Sequence, residues 1–514
     1  MCGILFVSGS VDSTTNELCK KLQLIKHRGP DYVSYEQSGK HWLGHVRLAL
    51  NGINEDIPQP FKRISESGKE ILLAANGEIY NQISVRNNLK HHNYKFESKH
   101  NDCEAIIPIM LHNGMQGPKD LDGQFAFVMT YGDTYYIARD PFGICSLYYG
   151  FDEKNNIWCS SELKCIHENV KVVNHVPPGC VIHNLDGEHN IFCYNDRTWM
   201  YKVLHYTPKS NVLFDLFSKA VKKRLMAECE IGLFLSGGLD SSLVAAIAQQ
   251  NVNYKMKSFS IGFSENAPDL IKARQVAKYI GTDHHEVIVT TSDALNALKD
   301  VIYHIETFDV TTIRASVPMY LLAKKMSSMG IKCALSGEGS DEIFGGYLYF
   351  RNTTDPNVFH KECVRLLKNL YMFDCLRSHK SCLAHSLEVR TPFLDMSFVN
   401  YVMNMDPMYK TCSNNIEKHV LRNCIPEGLL PNEIIWRQKE QFSDGVGYEW
   451  INTLKKQSNS SSELSNEEDY YFEIFKSLFQ EESCKQISER WKPRWSNTED
   501  PSGTQIKHHI SNFI

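Results

Sequence analysis

The sequence predicts two unlike domains in series. The first is an α+β layered domain over about residues 1–190, and the second an α/β domain with a doubly wound parallel sheet over about 206–450. Three observations carry this. The first 190 or so residues hold many short runs rich in β-branched and aromatic residues, punctuated by Gly, Asn or Asp. From about residue 206 the texture changes, and apolar strands alternate with segments of helical period. The length, 514 residues, exceeds one ordinary domain, since roughly 150 residues make a domain.

In chain order, the strand signals are GILFVSG (3–9), WLGHVRLAL (42–50), EILLAANGEIY (70–80), QFAFVMTYGD (124–133) and TYYIARD (134–140). Helical periodicity lies between them, in TTNELCKKLQLIKH (14–27) and DCEAIIPIMLHNG (102–114). In the second domain NVLFDLFSKAVKKRLMAE (211–228) has helical spacing. IGLFLSGGLDSSLVAAIAQQ (231–250) then reads as a buried strand, a glycine turn and a helix. SFSIGF (258–263) and IKCALSGEGSDE (331–342) read as further buried strands ending in polar turns. QSNSSSELSNEED (457–469) is polar and of low complexity, which predicts a mobile surface loop within a C-terminal extension over 451–514. No chemistry is assigned to that extension.

Composition narrows the classes of function. Hydrophobic residues make up 42% and charged residues 22%, the balance of a soluble globular protein. A formal charge of −5 gives no strong global field toward nucleic acid or a membrane surface. No run approaches 18 apolar residues, so no membrane span is expected. The N-terminus lacks the form of a signal peptide, and Cys at position 2 excludes myristoylation. The 16 cysteines include no CxxC, which argues against a zinc ribbon or a thioredoxin motif. Reduced thiols and a cytoplasmic location are the expectation.

Cys2 follows the initiator Met. Removal of Met1 would place a thiol and a free α-amino group on one carbon. With an α-amino pKa of about 7.7–8.0, that amine can serve as base for its own nucleophile. KHRGPD (26–31) puts Arg28, Gly29 and Asp31 in a tight turn. HVRLAL (45–50) places Arg47 in a strand pattern, where a charge needs a reason. In NGEIYN (76–81), Asn76 supplies a side-chain NH2 and Gly77 an unobstructed backbone N–H, two donors suited to an oxyanion hole. Asp102 is expected as an N-cap able to receive an ammonium group.

SGGLDSS (236–242) is the most specific short motif. It lacks the Walker A spacing, yet its glycines after a buried strand let backbone amides approach phosphate oxygens. Ser236, Ser241 and Ser242 can donate to phosphate, and Asp240 beside phosphate predicts an intervening Mg2+. SGEGSDEIFGGY (336–347) carries Glu338, Asp341 and Glu342, which repel unless a cation is present. Its glycines predict close backbone approach to a ligand. Arg314 in ETFDVTTIRAS, Asp395 in LEVRTPFLD and Lys439 in WRQKEQFSDGVG add charge in three further blocks.

MCGI, HRGPD, NGEIYN and RDPFG (139–143) occur in the order of the class II glutamine amidotransferases, and residues 1–190 resemble that family. The resemblance implies an N-terminal nucleophile-type layered sandwich. In it Cys2 attacks the glutamine amide, Asn76 and Gly77 stabilise the oxyanion, and Arg47, Asn76, Glu78 and Asp102 hold glutamine. SGGLDSS resembles the pyrophosphate loop of N-type ATP pyrophosphatases. With SGEGSDE, GTDHHE (281–286) and the three charged blocks, residues 206–450 resemble the synthetase domain of the asparagine synthetases. That resemblance implies ATP and Mg2+ as cofactors, glutamine, aspartate and ATP as substrates, and a homodimer. It puts Leu235, Ser236, Gly237, Gly238, Asp240, Ser241, Ser242, Ile261, Ser336 and Gly337 on ATP, and Asp240 and Asp341 on the metal. Arg314, Asp341 and Asp395 go to pyrophosphate or aspartate, and Glu338 and Lys439 to catalysis. Two positions depart from the family: Ser146 stands where Pro is usual, and Thr391 where Val is usual.

Overall fold

The structure, a computed structural model, describes residues 2–10, 13–54, 58–88, 94–195, 197–412, 416–439, 450–455, 466–485 and 487–495. Strands in chain order are β1 (Gly3–Ser8), β2 (Tyr32–Ser38), β3 (His41–Arg47), β4 (Phe61–Ile64), β5 (Glu70–Ile79), β6 (Gly123–Tyr131) and β7 (Thr134–Arg139). They continue with β8 (Tyr148–Phe151), β9 (Ile157–Ser160), β10 (Asn174–His175), β11 (Cys180–His183) and β12 (Asn190–Cys193). The C-terminal half holds β13 (Ile231–Phe234), β14 (Lys257–Gly262), β15 (Asp283–Ile288), β16 (Cys333–Leu335) and β17 (Glu388–Arg390).

Two six-stranded antiparallel sheets form the N-terminal half, ordered β10-β8-β9-β1-β3-β2 and β12-β11-β7-β6-β5-β4. They stack face to face. Ile4 and Phe6 of β1 meet Leu72 and Ala74 of β5 and Ala126 and Val128 of β6 in the core between them. Leu5 and Val7 point the other way, onto Leu18 and Leu22 of the helix Thr15–Gln23. Ile71, Leu73 and Ala75 point outward beneath the helix Ile106–Asn113. The result is a helix–sheet–sheet–helix sandwich. Because both faces of β1 and β5 are covered, both strands read as unbroken apolar runs rather than as alternation.

The predicted helix over 102–114 divides into a 3-10 turn, Asp102–Ala105, and the α-helix Ile106–Asn113. The helix expected over 211–228 spans Ser210–Lys223. Cys180 and Cys193 face each other across β11 and β12 and are disulfide-bonded, which corrects the expectation of uniformly reduced thiols.

In the C-terminal half five parallel strands are ordered β15-β14-β13-β16-β17. The chain runs outward from β13 to β15, then returns to the other side for β16 and β17. The order reverses between β13 and β16, which makes their carboxyl ends the place for a ligand crevice. Of the predicted polar loop, residues 457–465 lie outside the described residues. Its end is not a loop: Asn466 caps the helix Glu467–Leu478, and Glu467 is buried. No described helix is long and apolar enough to cross a membrane.

Candidate active sites

Cys2 sits at the head of β1 and is buried. Its backbone nitrogen donates to Asn76 Oδ1 on β5 at 2.8 Å, and its carbonyl accepts from Arg28 Nε at 2.9 Å. Arg28 is fully buried and pairs with Glu162 at 2.9 Å, so it anchors the nucleophile's backbone rather than decorating the surface. Burial pushes the Cys2 thiol up, so a base must remove its proton before attack. Asn76 Nδ2 is buried with no hydrogen-bond partner among the described residues. A donor so placed is costly unless a ligand oxygen meets it. Beside it, Gly77 has φ +137°, and a Cβ there would lie 2.0 Å from the Gln124 carbonyl oxygen. Only glycine fits this turn of β5 against β6.

The glutamine-holding candidates gather at the same end. Arg47 closes β3 and donates to the carbonyls of Asn51 at 3.2 Å and Gly52 at 2.7 Å. Glu78 is buried, accepts from Asn51 Nδ2 at 2.7 Å, and lies 3.2 Å from Arg390 Nη2. Burial pushes its carboxyl well above the ordinary range. Asp102 is not the helix cap that the sequence suggests. Asn101 caps the turn by accepting from Cys103 N, while Asp102 Oδ2 accepts from Ile79 N at 2.6 Å. Burial raises the Asp102 carboxyl to about 6.

The second site occupies the sheet's switch point. A cavity of about 190 Å³ is lined by Leu235, Ser236, Gly238, Asp240, Ser241, Ile261, Ser336, Gly337, Glu338, Asp341 and Lys439, all expected there. Ser236 Oγ and Ser241 Oγ lie 3.0 Å apart and close the loop on itself. Gly337 packs tightly, since a Cβ would come within 2.9 Å of Ser241 N. Gly346 likewise abuts Asp341 and Lys418. At these two positions the glycine-rich turn packs against neighbouring protein, and Gly337 lines the cavity as well.

Four expected residues do not line the cavity. Gly237 instead presses the helix Pro268–Ile280. Ser242 is fully buried. Arg314 lies on the cavity-lining helix Val310–Ser328, but its guanidinium turns away into a buried two-point pair with Glu467 at 3.0 and 2.7 Å. Asp395 caps the helix Met396–Asn404 and pairs with Arg224 at 3.0 Å and with Lys223.

The cations that do reach the cavity come partly from unremarkable sequence. Lys418 Nζ sits between Asp240 Oδ2 at 2.7 Å and Asp341 Oδ1 at 2.6 Å. Lys439 lies 2.8 Å from Asp341 Oδ2 and 3.9 Å from Asp240. Burial alone would raise the Asp341 carboxyl, but the two ammonium groups hold it well below the usual range. Arg377 pairs with Glu338 at 2.8 Å and Asp374 at 2.7 Å. Burial still leaves Glu338 raised. Glu342 accepts from Tyr347 Oη at 2.6 Å. The acidic cluster's predicted cations are thus largely the protein's own side chains. Residues 440–447 of the Lys439 block lie outside the described residues.

β17 touches both sites. Arg390 reaches Glu78 by its guanidinium, while its carbonyl accepts from Ser336 N at 2.9 Å in the cavity wall. Gln124 of β6 donates to Val389 O at 2.9 Å. Thr391, just beyond β17, is buried with its hydroxyl unpaired among the described residues, and Ser146 donates to Ser161 O at 2.8 Å. A third cluster, His27, Glu162 and His304, converges to within 4.8 Å. Glu162 already carries Arg28 and Lys164, so an added metal cation would face two resident cations.

Comparison with known proteins follows this division. Residues 1–211 match a glutamine amidotransferase domain, and residues 213–358 and 351–499 match the asparagine synthase family. A probable glutamine-hydrolysing asparagine synthetase of Dictyostelium discoideum is 40% identical over 99% of this chain and 100% of its own. One from Schizosaccharomyces pombe is 40% identical with the same coverage, and one from Lotus japonicus is 39% identical over 100% of this chain and 94% of its own. The chain belongs to the asparagine synthase family, in the form that carries a glutamine amidotransferase domain ahead of the synthetase.

Proposed function

We propose that the protein makes asparagine from aspartate, glutamine and ATP. One observation carries the reading. The orphaned Asn76 donor beside Cys2 and the Asp240–Asp341–Lys439 cavity are joined in one chain through β17.

The first half-reaction uses Cys2. Its Sγ attacks the glutamine amide carbon, with the freed α-amine as base. Asn76 Nδ2 and Gly77 N meet the oxyanion, and collapse expels ammonia and leaves a thioester. Water then releases glutamate. Arg47, Asn76, Glu78 and Asp102 hold the substrate's charged end.

In the second, ATP takes the cavity against Leu235, Ile261, Ser336 and Gly337, with its phosphates over Ser236, Gly238 and Ser241. The aspartate β-carboxylate displaces pyrophosphate from the α-phosphorus, giving β-aspartyl-AMP. Lys439 and Lys418 offset the charge that develops, and Glu338 supports attack by ammonia, which expels AMP. Asp240 and Asp341 fit Mg2+. Lys418 and Lys439 contact these carboxylates here, so Mg2+ would take the place of an ammonium between them, on oxygens that are the hard donors it prefers. When bound, the ion supplies neutralisation of the pyrophosphate.

Free ammonia would be protonated in water, so we place its transfer inside the protein, along the β17 seam. Labelled external ammonium that competed fully with glutamine nitrogen would exclude such a path. We also place the domain boundary within 190–210 and the protein in the cytoplasm as a homodimer; light scattering and fractionation check the last two. The deciding assay supplies aspartate, ATP and Mg2+ with glutamine or ammonium. Asparagine, AMP and pyrophosphate are expected, and ADP in place of AMP overturns the mechanism.

A further inference from the structure

The segment after 450 matches no chemistry in the motifs, yet it is built into both halves of the molecule. Ser483 Oγ donates to His167 O at 2.7 Å, Val173 N donates to Ser483 O at 2.8 Å, and His175 Nε2 lies 3.0 Å from Ile487 O. Those three contacts hold it to the N-terminal sandwich. On the synthetase side, Thr307 Oγ1 meets Ser488 Oγ at 2.7 Å. The chain then delivers Trp491 to the cavity, which it helps to line.

Trp491 is fixed with unusual redundancy. Its backbone nitrogen donates to Asp309 Oδ1 at 2.8 Å. The other oxygen of the same carboxylate accepts from Thr312 N at 2.8 Å and from Thr312 Oγ1 at 2.7 Å, which caps the cavity-lining helix. Thr312 itself lines the cavity. The next residue is clamped too, since Arg365 Nη2 donates to Lys492 O at 3.0 Å. The indole is buried and stands edge-on to Tyr347, 6.0 Å between ring centroids. Tyr347 bonds Glu342 and Asp374, and Asp374 bonds the Arg377 that holds Glu338. Trp491 therefore stands at the end of the cavity bearing a guanidinium and several carboxylates. Leu235 and Ser236 follow β13, and Ile261 lies on β14.

Resting on the reading of the protein as an asparagine synthetase, we propose that Trp491 is a specificity-determining residue. Its indole forms the end wall of the amino-acid subsite and sets the length of the dicarboxylate that is accepted. A rigid aromatic wall held by backbone hydrogen bonds discriminates by length, because one additional methylene has nowhere to go. Such steric discrimination is worth about 10–200-fold in kcat/KM.

The test compares wild-type protein with Trp491→Ala and Trp491→Phe, all full length, with ammonium as the nitrogen source. KM is measured separately for aspartate and ATP. The kcat/KM ratio of aspartate to glutamate, which is longer by one methylene, is read from AMP release. Glutamine hydrolysis at Cys2 reports that each variant is folded. The expected result is a rise of about tenfold or more in KM for aspartate with Trp491→Ala, and a fall of similar size in the aspartate-to-glutamate ratio. KM for ATP and the glutaminase rate should hold within about twofold, and Trp491→Phe should lie between. An unchanged ratio in glutaminase-competent variants overturns the assignment. So does an equal rise in KM for ATP. Wild type that releases no AMP with either amino acid refutes the parent reading instead, and with it the assignment of this wall to an amino-acid subsite.

Discussion

Replacing Asn76 by Ala tests the amidotransferase site most directly. The side chain does two things at once. Its oxygen receives the Cys2 nitrogen at 2.8 Å, and its Nδ2 is buried without a partner. Loss of the oxygen leaves the Cys2 nitrogen unpaired, at about 1–3 kcal/mol. Loss of the orphaned Nδ2 removes a desolvation penalty of the same order, about 1–3 kcal/mol. The two nearly cancel, so the midpoint of urea unfolding should barely move. Catalysis has no such compensation. A missing oxyanion donor costs about 10²–10³ in kcat, or about 2.7–4 kcal/mol. Glutamate release from glutamine should therefore fall by two to three decades, about 1.4 kcal/mol per decade. Asparagine formed from ammonium should remain near wild type, since Cys2 is then bypassed. A glutaminase rate within about threefold of wild type would refute the oxyanion assignment. Equal loss of the ammonium-dependent reaction would refute the separation of the two sites.

Three further outcomes are expected. Lys439→Ala should abolish asparagine synthesis while leaving glutamine hydrolysis intact, because its ammonium contacts Asp341 and Asp240 in the cavity and nothing near Cys2; normal asparagine production would sink the ATP-site reading. Asp102 must be ionised to hold an ammonium, and burial sets its carboxyl at about 6. Activity therefore needs pH above that value as well as a deprotonated α-amine of pKa about 7.7–8.0. The acid limb of kcat/KM for glutamine should steepen below about pH 6 as Asp102 takes up its proton, and Asp102→Asn should remove that added steepness. Glu467→Ala breaks the buried two-point ion pair with Arg314 and should destabilise the chain by up to about 3–5 kcal/mol in chemical denaturation.

The legible parts of this molecule are those where one local rule decides. β1, β5, β6 and β7 show as apolar runs because both of their faces are covered. The Ser236–Ser242 loop shows because glycine, serine and aspartate after a buried strand leave few other readings. Side-chain direction was not legible. Arg314 sits in the right helix, yet its guanidinium turns from the cavity to Glu467, 153 positions later, which offers both oxygens of a buried carboxylate. Lys418 was missed in NNIEKHVLRN, a run with no glycine turn and no strand to mark it. The one signal for it is unbalanced charge, since Asp240 and Asp341 require a cation, and that requirement does not distinguish Mg2+ from a lysine. The cap falls one position before Asp102, on Asn101, and the Asp102 carboxylate is taken by a strand amide. Each miss depends on a partner far away in sequence, to which local pattern is blind.

β17 is only three residues long, yet it limits how this protein can be taken apart. It is the outer strand of the parallel sheet, and its free edge is closed by Gln124 from the other half. A synthetase half expressed alone would present an open edge and an Arg390 stripped of Glu78, an invitation to edge-to-edge aggregation. An amidotransferase half grafted onto a foreign acceptor would carry a buried glutamate with no guanidinium to meet it. Swapping nitrogen donors between enzymes of this plan therefore requires moving the Glu388–Arg390 segment together with the domain it serves.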